Sequence, residues 1–238
     1  MFEQSPAIII NKFGIKEADL ILTLLTKEFG KVKAVLHGAR GAGKATGKRF
    51  SAPPDIFDCG VVELVPPRSS SNLYTLHTFS KKVSFEIFRK DVSRFTLASF
   101  CLEACDVLSL DGEPETTKFF NPLYHALNNL NKEELTLTQY SCAVIFFYIT
   151  ILKIAGYDPT NVQCTMLNAQ LGEGAQNIDS SLEKDVKLWF RQMLDFNSPI
   201  LFDSLPLITA AFTFLVSFTE SVLEKKLKTS TDLFLALS

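Results

Sequence analysis

Six lysine and arginine side chains lie between Lys31 and Pro54, a stretch that contains no Asp or Glu. The fixed charges are Lys31, Lys33, Arg40, Lys44, Lys48 and Arg49, and His37 lies among them. An acid-free run of this kind attracts phosphate, and the glycines within it allow the backbone to approach a polyanion closely. These residue types therefore favour the binding of a phosphate-bearing polymer.

The positive charge belongs to one part of the chain. Residues 1–90 carry 14 Lys and Arg against 8 Asp and Glu, whereas residues 91–238 carry 10 against 18. Charges are screened beyond about 8–10 Å at physiological salt, so a polyanion responds to the local excess of positive charge. The total of −2 therefore does not argue against nucleic-acid binding by the N-terminal part.

The segment Gly38–Lys44 also fits the pattern G-x-x-x-x-G-K, in which a loop of backbone amides holds the phosphates of a nucleotide. The next residue is Ala45, whereas nucleotide hydrolases have Ser or Thr there to hold magnesium. The following residues are polar and lead to Pro53 and Pro54, so they do not form the apolar helix that the motif opens. A basic loop is the favoured interpretation, and a nucleotide-binding enzyme is the alternative.

The rest of the sequence shows no spacing typical of a catalytic or metal site. The five cysteines are Cys59, Cys101, Cys105, Cys142 and Cys164, and they include no C-x-x-C pair. An odd number of cysteines without a framework spacing is typical of reduced thiols in the cytoplasm. We therefore expect no enzyme, no metal site and no cofactor, and a cytoplasmic location.

Five short segments rich in Ile, Val, Leu and Phe, separated by Gly and Pro turn signals, indicate strands near the N-terminus. They are Ala7–Phe13, Asp19–Thr26, Lys31–His37, Asp55–Val65 and Leu73–Phe85. Short strands in such close succession predict a small barrel. In the third strand Val32, Ala34 and Leu36 alternate with basic residues, so we expect the apolar set to face the core and the basic set to be exposed.

From residue 86 onward, apolar residues recur at helical spacing. The predicted helices are Asp91–Leu110, Glu115–Leu130, Thr138–Ala155, Ser180–Phe196 and Ser204–Lys228, with a polar loop over residues 157–179. The predicted fold class is therefore α+β: an N-terminal five-stranded barrel, residues 1–85, followed by an all-α helical domain, residues 86–238.

Two apolar stretches, Cys142–Leu152 and Leu205–Phe218, are shorter than the ~20 residues that a membrane-spanning helix needs. We interpret both as core helices and expect no contact with a membrane. The first ten residues, MFEQSPAIII, lack the basic start and cleavage site of a signal peptide, so none is expected.

The order of these features resembles the bacterial recombination mediator family RecO. The pattern from Gly14 to Arg40, GIKEADLILTLLTKEFGKVKAVLHGAR, is similar to that family's second and third strands and the basic turn after them. Arg49-Phe50 and Asp55–Phe57 are similar to the family's next segment, and Gly156–Pro159 stands where the family has G-Y-x-P. The resemblance covers essentially the whole chain and is specific over the first 85 residues.

The resemblance implies an oligonucleotide-binding (OB) barrel that binds single- and double-stranded DNA, followed by a helical domain. It implies DNA repair and recombination by annealing of complementary strands and by helping to load RecA onto DNA coated with single-strand DNA-binding protein, in the RecFOR pathway with RecR. The helical domain is then expected to hold the acidic, Phe-ended C-terminal tail of the single-strand DNA-binding protein. An OB-fold scaffold that binds only protein is a further alternative.

Many members of that family carry a four-cysteine zinc module after the G-Y-x-P segment. Here Cys164 matches the first ligand position, but Leu167 stands at the second, and residues 168–181 contain no cysteine. The resemblance therefore implies that the module is lost and that the loop over residues 157–179 is its remnant.

The residues expected to contact nucleic acid lie in the basic run and at the end of the fifth strand. They are Lys31, Lys33, His37, Arg40, Lys44, Lys48 and Arg49, extended by Lys81 and Lys82, for which a solvated strand end is an equal alternative. Bases stack on aromatic side chains in OB barrels, and Phe50, Phe57 and Tyr74 are the candidates for this role. For each of the three, burial in the barrel core is the favoured interpretation.

Overall fold

The computed structural model describes residues 2–15, 19–39, 54–67, 72–160, 180–197, 199–201 and 204–237. The chain forms two compact units. The first comprises Met1–Glu86 and Cys105–Tyr124, and the second comprises Ile87–Ala104 and His125–Ser238. The first unit therefore includes a segment that the sequence analysis assigned to the helical domain.

The first unit is built on a closed barrel of five strands in the order β1-β2-β3-β5-β4. The strands are β1 (Glu3–Ile15), β2 (Asp19–Thr26), β3 (Gly30–Leu36), β4 (Cys59–Val65) and β5 (Leu73–Val83). Strands β3 and β5 are parallel and pair at Lys33–Val35, whereas the other neighbouring strands are antiparallel. The predicted five-stranded barrel is confirmed.

The barrel core follows from the two-residue period of strands. Its buried residues are Ala7, Ile9, Leu20, Leu22, Leu24, Val32, Ala34, Leu36, Val62, Leu64 and Leu76. Strand β2 has the predicted bounds, but β1 begins at Glu3 because its first residues pair with β4. Strand β4 begins only at Cys59, because the residues before it form a turn in which Phe57 has a left-handed φ of 68°.

A segment far along the chain, residues 106–119, packs against this closed barrel. A 3-10 turn at Pro114–Phe119 packs against β2 and β3. Just before this turn, the Gly112 amide donates to the Lys31 carbonyl oxygen at 3.0 Å, and Asp111 forms a parallel bridge with Lys31. The first residues of β3 therefore pair with this segment, whereas residues 33–35 pair with β5.

The helices are α1 (Val92–Leu108), α2 (Phe120–Leu130), α3 (Leu137–Ile154), α4 (Ser180–Phe196), α5 (Leu205–Leu223) and α6 (Ser230–Leu237), with a 3-10 turn at Glu86–Arg89. Aromatic side chains fill the core of the second unit. The Phe100 ring stacks on Tyr148 with centroids 4.6 Å apart and meets Phe212 edge-on at 5.9 Å. Trp189 and Phe190 are fully buried in the same unit.

Two helix predictions differ clearly from the structure, and one helix was missed. The predicted helix Glu115–Leu130 divides into the 3-10 turn and α2. The last predicted helix ends at Leu223 instead of Lys228, because Glu224 adopts a left-handed φ of 50°. Helix α6 was not predicted.

Two helices, α3 and α5, are long and apolar enough to cross a membrane by length and composition. More than half of each apolar window is buried inside the protein, at 61% for α3 and 56% for α5. Burial of this extent agrees with their interpretation as core helices.

Candidate nucleic-acid interface

Strand β3 has an apolar inner face and an outer face that carries Lys31 and Lys33, as the alternation of its residues predicts. Val32, Ala34 and Leu36 lie in the barrel core. Lys33 points outward and is exposed, but Lys31 on the same outer face is buried, with only 8% of its side chain accessible. The expectation that the whole basic face is exposed is therefore wrong at Lys31.

Lys31 is buried because the last turn of α1 and the segment after that helix cover it. Its Nζ donates to the Asp106 carbonyl oxygen at 2.7 Å and lies 3.3 Å from the Asp106 carboxylate and 3.4 Å from that of Asp111. The Lys31 amide also donates to Thr116 Oγ1 at 3.0 Å. Lys31 therefore holds the segment on the barrel and does not present its charge to a ligand.

Gly30 allows this segment to approach closely. A Cβ added at Gly30 would lie 2.0 Å from Thr116 Oγ1, and the residue has a left-handed φ of 66°. Both conditions exclude an L side chain at this position without rearrangement. Gly30, the first residue of β3, therefore allows β3 to pack closely against the 3-10 turn.

Lys33 also contacts the segment that covers Lys31, but its side chain is accessible to solvent. Its Nζ lies 2.8 Å from an Asp111 carboxylate oxygen, and the two side chains are 46% and 39% exposed. The hydrogen bond and the charge of Asp111 raise the pKa of Lys33. Burial raises the pKa of Asp111, but hydrogen bonds and attraction from Lys33 and Lys31 outweigh it and lower that pKa. Both groups are therefore ionised at neutral pH.

An open groove of about 650 Å³ runs beside this ion pair. Its walls are the edges of β3 and β5 and the segment that covers Lys31. The residues that line it include Phe29, Lys33, Pro67, Asn72, Tyr74 and Asp111. The volume lies within the range of ~300–1,000 Å³ typical of ligand sites.

Two further predicted contact residues are also paired with carboxylates. His37 Nδ1 lies 3.1 Å from Asp19 Oδ2, although 65% of the His37 side chain is exposed. Lys81 forms an ion pair with Asp58. Lys82 is exposed at the end of β5, and no ion pair to it is found within the described part of the chain. The described basic residues of the barrel are therefore largely neutralised.

The other predicted contacts, Arg40, Lys44, Lys48 and Arg49, lie outside the described residues, as does most of the segment Gly38–Lys44. Their charge still counts in the first unit. Residues 1–86 carry 12 Lys and Arg against 8 Asp and Glu, whereas residues 105–124 carry 1 Lys against 4 acids. The acidic segment therefore cancels most of the barrel's positive excess.

The candidate stacking residues have different environments. Phe57 is buried, at 8% exposed, so its ring is not accessible to a base. Tyr74 is half-buried, packs against the core and lines the groove, whereas Phe50 lies outside the described residues. One aromatic pair was not predicted: the exposed Phe2 ring stacks on the half-buried His77 ring with centroids 4.3 Å apart.

Metal ligation finds no support among the described residues. No group of three or more His, Cys, Asp or Glu side chains there could hold a metal ion. Cys59 is buried, and burial together with the charge of Asp58 raises the pKa of its thiol to about 11. Cys164 and the loop 161–179 lie outside the described residues, so the loss of a zinc module stays a prediction.

Comparison with known proteins connects this barrel to DNA repair. Residues 1–85 match the family described as Recombination protein O N terminal. The DNA repair protein RecO of Desulforamulus reducens is 27% identical over 247 residues, covering 94% of this chain and 91% of the relative. The chain is therefore similar to RecO proteins over nearly its whole length, and its barrel matches that family's N-terminal domain. The predicted OB-fold barrel is confirmed.

Other RecO relatives match over shorter stretches. The DNA repair protein RecO of Anaeromyxobacter dehalogenans is 30% identical over 173 residues, and that of Alkaliphilus metalliredigens is 29% identical over 153 residues. These matches cover 73% and 64% of this chain. The chain spans 64% and 57% of the length of these two relatives.

The burial of Lys31 leads to a prediction that separates a structural lysine from a DNA contact. Replacing Lys31 with Met should lower the free energy of unfolding by about 1–3 kcal/mol, because Asp106 and Asp111 lose a buried partner. The salt dependence of DNA binding should not change. Urea unfolding and an oligonucleotide titration measure the two quantities.

The matched control is Lys82→Met, which removes the same charge from an exposed strand end. It should alter the free energy of unfolding by less than about 0.5 kcal/mol. Wild-type stability of Lys31→Met together with a flatter salt dependence would show that Lys31 contacts DNA.

Proposed function

We propose that this chain is a DNA repair and recombination mediator that binds single- and double-stranded DNA through its barrel and anneals complementary strands. The observation that supports this most strongly is the OB barrel of the RecO family with an acid-free basic stretch after β3. Phosphates bind the basic side chains, and bases stack on exposed aromatic rings. We place this activity in the bacterial cytoplasm, at the nucleoid.

The proposed contacts are the basic residues predicted from the sequence, with the exception of Lys31. They comprise Lys33, His37, Arg40, Lys44, Lys48, Arg49, Lys81 and Lys82. Lys31 is omitted because carboxylates and a carbonyl oxygen already surround its ammonium group. Lys33, His37 and Lys81 must exchange a carboxylate partner for a phosphate, so the residues from Arg40 to Arg49 supply most of the binding.

We further infer that the two parts of the chain divide the work. The barrel, residues 1–85, binds DNA, and residues 86–238 bind protein partners: RecR and the acidic tail of the single-strand DNA-binding protein. Together they would help RecA to load onto coated DNA. We propose no catalytic step and no cofactor, since strand annealing needs only that repulsion between two phosphate backbones be screened.

Annealing of two complementary labelled oligonucleotides tests this function. The full chain should accelerate duplex formation several-fold without ATP or magnesium, both on bare strands and on strands coated with single-strand DNA-binding protein. The full chain is required because a fragment ending at residue 85 lacks Asp106, Asp111 and Thr116, which contact Lys31.

The outcomes separate the proposed function from its alternatives. Unchanged annealing rates on bare strands would contradict a mediator that anneals DNA. Acceleration of bare but not coated strands would contradict the proposed contact with the single-strand DNA-binding protein. ATP hydrolysis that disappears in Lys44→Ala would favour a nucleotide-binding enzyme instead.

A further inference from the structure

The ion pair between Lys33 and Asp111 differs from the buried contacts beside it. Lys31 is enclosed by two carboxylates and a backbone carbonyl oxygen, whereas the Lys33 ammonium group has Asp111 as its partner at 2.8 Å. Both side chains are more than a third exposed to solvent. An exposed pair of this kind is held by less than about 1 kcal/mol, so it can be exchanged for another partner.

The Asp111 carboxylate resembles a DNA phosphate, the ligand proposed for Lys33, in its negative charge. A carboxylate and a phosphodiester each carry one negative charge, and a lysine ammonium group binds either one as a compact point charge. The Asp111 carboxylate therefore covers the one accessible cation that lines the described groove, since Lys31 is buried.

The groove offers room for the rest of a nucleotide. Tyr74 lies beside Ala34 across the parallel pair of β3 and β5, one position from Lys33. Its half-buried ring and the Asn72 side chain line the groove together with Phe29 and Pro67. A phosphate on Lys33 would thus share the groove with an aromatic side chain and an amide.

We propose that Asp111 acts as an internal competitor of DNA: a phosphate of a bound single strand replaces its carboxylate on Lys33 in this groove. The inference rests on the DNA binding proposed above and adds a residue that lowers affinity. Removal of the carboxylate should therefore strengthen DNA binding. The effect is expected even though Asp111 is not a residue of the five barrel strands.

The test is the affinity of the full chain for a labelled oligothymidylate of about 16 nucleotides, the upper site size of one OB barrel. Asp111→Asn should bind about three- to tenfold more tightly at low salt, because Lys33 is released and the repulsion of the phosphate by the carboxylate is lost. The change keeps the size of the side chain.

Two further variants distinguish exchange at Lys33 from a general change of charge. Glu115→Gln removes one negative charge from the same segment and releases Lys118, its exposed partner, which does not line the groove. It should change affinity by less than about twofold. In a Lys33→Gln background, Asp111→Asn should lose its advantage.

Each outcome supports or overturns the proposal. Equal affinities of wild type, Asp111→Asn and Glu115→Gln would overturn it while leaving DNA binding intact. An equal gain in Asp111→Asn and Glu115→Gln would overturn it as well, because net charge would then account for the effect. The absence of binding by wild type and all variants would overturn the proposed function itself.

Discussion

Replacing Arg40, Lys44, Lys48 and Arg49 together with Ala should flatten the slope of log affinity against log salt by about 2.8 on single strands. Each phosphate contact contributes about 0.7 to that slope, because each releases a condensed counterion. Near 0.1 M salt, the same loss weakens binding by about two to three orders of magnitude. We expect so large an effect because Lys31, Lys33, His37 and Lys81 already have carboxylate partners.

A matched control removes the same charge from the helical part of the chain. Lys153, Lys184, Lys225 and Lys226 are all exposed there. Their joint replacement with Ala should change the slope by less than about 0.7, the value of one contact. A larger change in this control than in the basic-loop variant would place the DNA interface on the helical unit.

Arg94 is the residue whose replacement should destabilise the helical unit most. Its guanidinium group is buried and donates to the carbonyl oxygens of Leu130 and Lys132 at 2.6 Å and of Leu135 at 2.9 Å. It also donates to the Asp91 carboxylate at 3.1 Å. These bonds fix the turn between α2 and α3 to the start of α1.

Replacing Arg94 with Ala should therefore lower the free energy of unfolding by about 3–5 kcal/mol, since three backbone carbonyls and the Asp91 carboxylate lose a buried charged donor. Arg94→Lys should lose much of the same energy, because an ammonium group cannot reproduce the planar fork of donors. Urea unfolding measures both variants. The control is Arg89→Ala at an exposed position, expected within about 0.5 kcal/mol of wild type.

A midpoint of urea unfolding for Arg94→Ala equal to that of the wild type would contradict this structural role of Arg94. A loss confined to Arg94→Ala, with Arg94→Lys at wild-type stability, would show that charge alone suffices. DNA binding at temperatures where the variant is folded should be unchanged, because Arg94 contacts only groups of the helical unit among the described residues.

Local patterns in the sequence were sufficient to predict the barrel. The alternation of Val32, Ala34 and Leu36 with lysines gave the correct core face of β3, because strand geometry fixes this relation between neighbours. The bounds of β2 were predicted correctly for the same reason. Phe57 is buried, as the favoured interpretation of that residue had it.

The environment of the basic residues could not be predicted in this way. Asp106 and Asp111 reach β3 from a segment more than 70 positions further along the chain, and no periodicity connects them to Lys31 or Lys33. The partners of Arg94 are mostly backbone carbonyls, which every residue possesses. The end of α5 at Leu223 depends on a left-handed Glu224, a conformation that glycine usually signals.

The structure therefore changes which basic residues are proposed to contact DNA, but DNA binding by the basic run between Lys31 and Pro54 is still proposed. A count of lysines predicted contacts along the whole of β3 and the loop after it. The structure assigns Lys31 to the packing of the barrel and pairs Lys33 with Asp111, a pairing that a DNA phosphate would replace in our proposal. The loop residues Arg40, Lys44, Lys48 and Arg49 stay predictions, and they carry the main electrostatic contribution in our proposal.

The most direct measurement is the affinity of the wild-type chain for a labelled single strand over a salt series. We expect log affinity to fall linearly with log salt, with a slope at least as steep as about −2.8, which corresponds to four phosphate contacts. Binding without salt dependence, or no binding at about 50 mM salt, would contradict DNA recognition by the basic barrel.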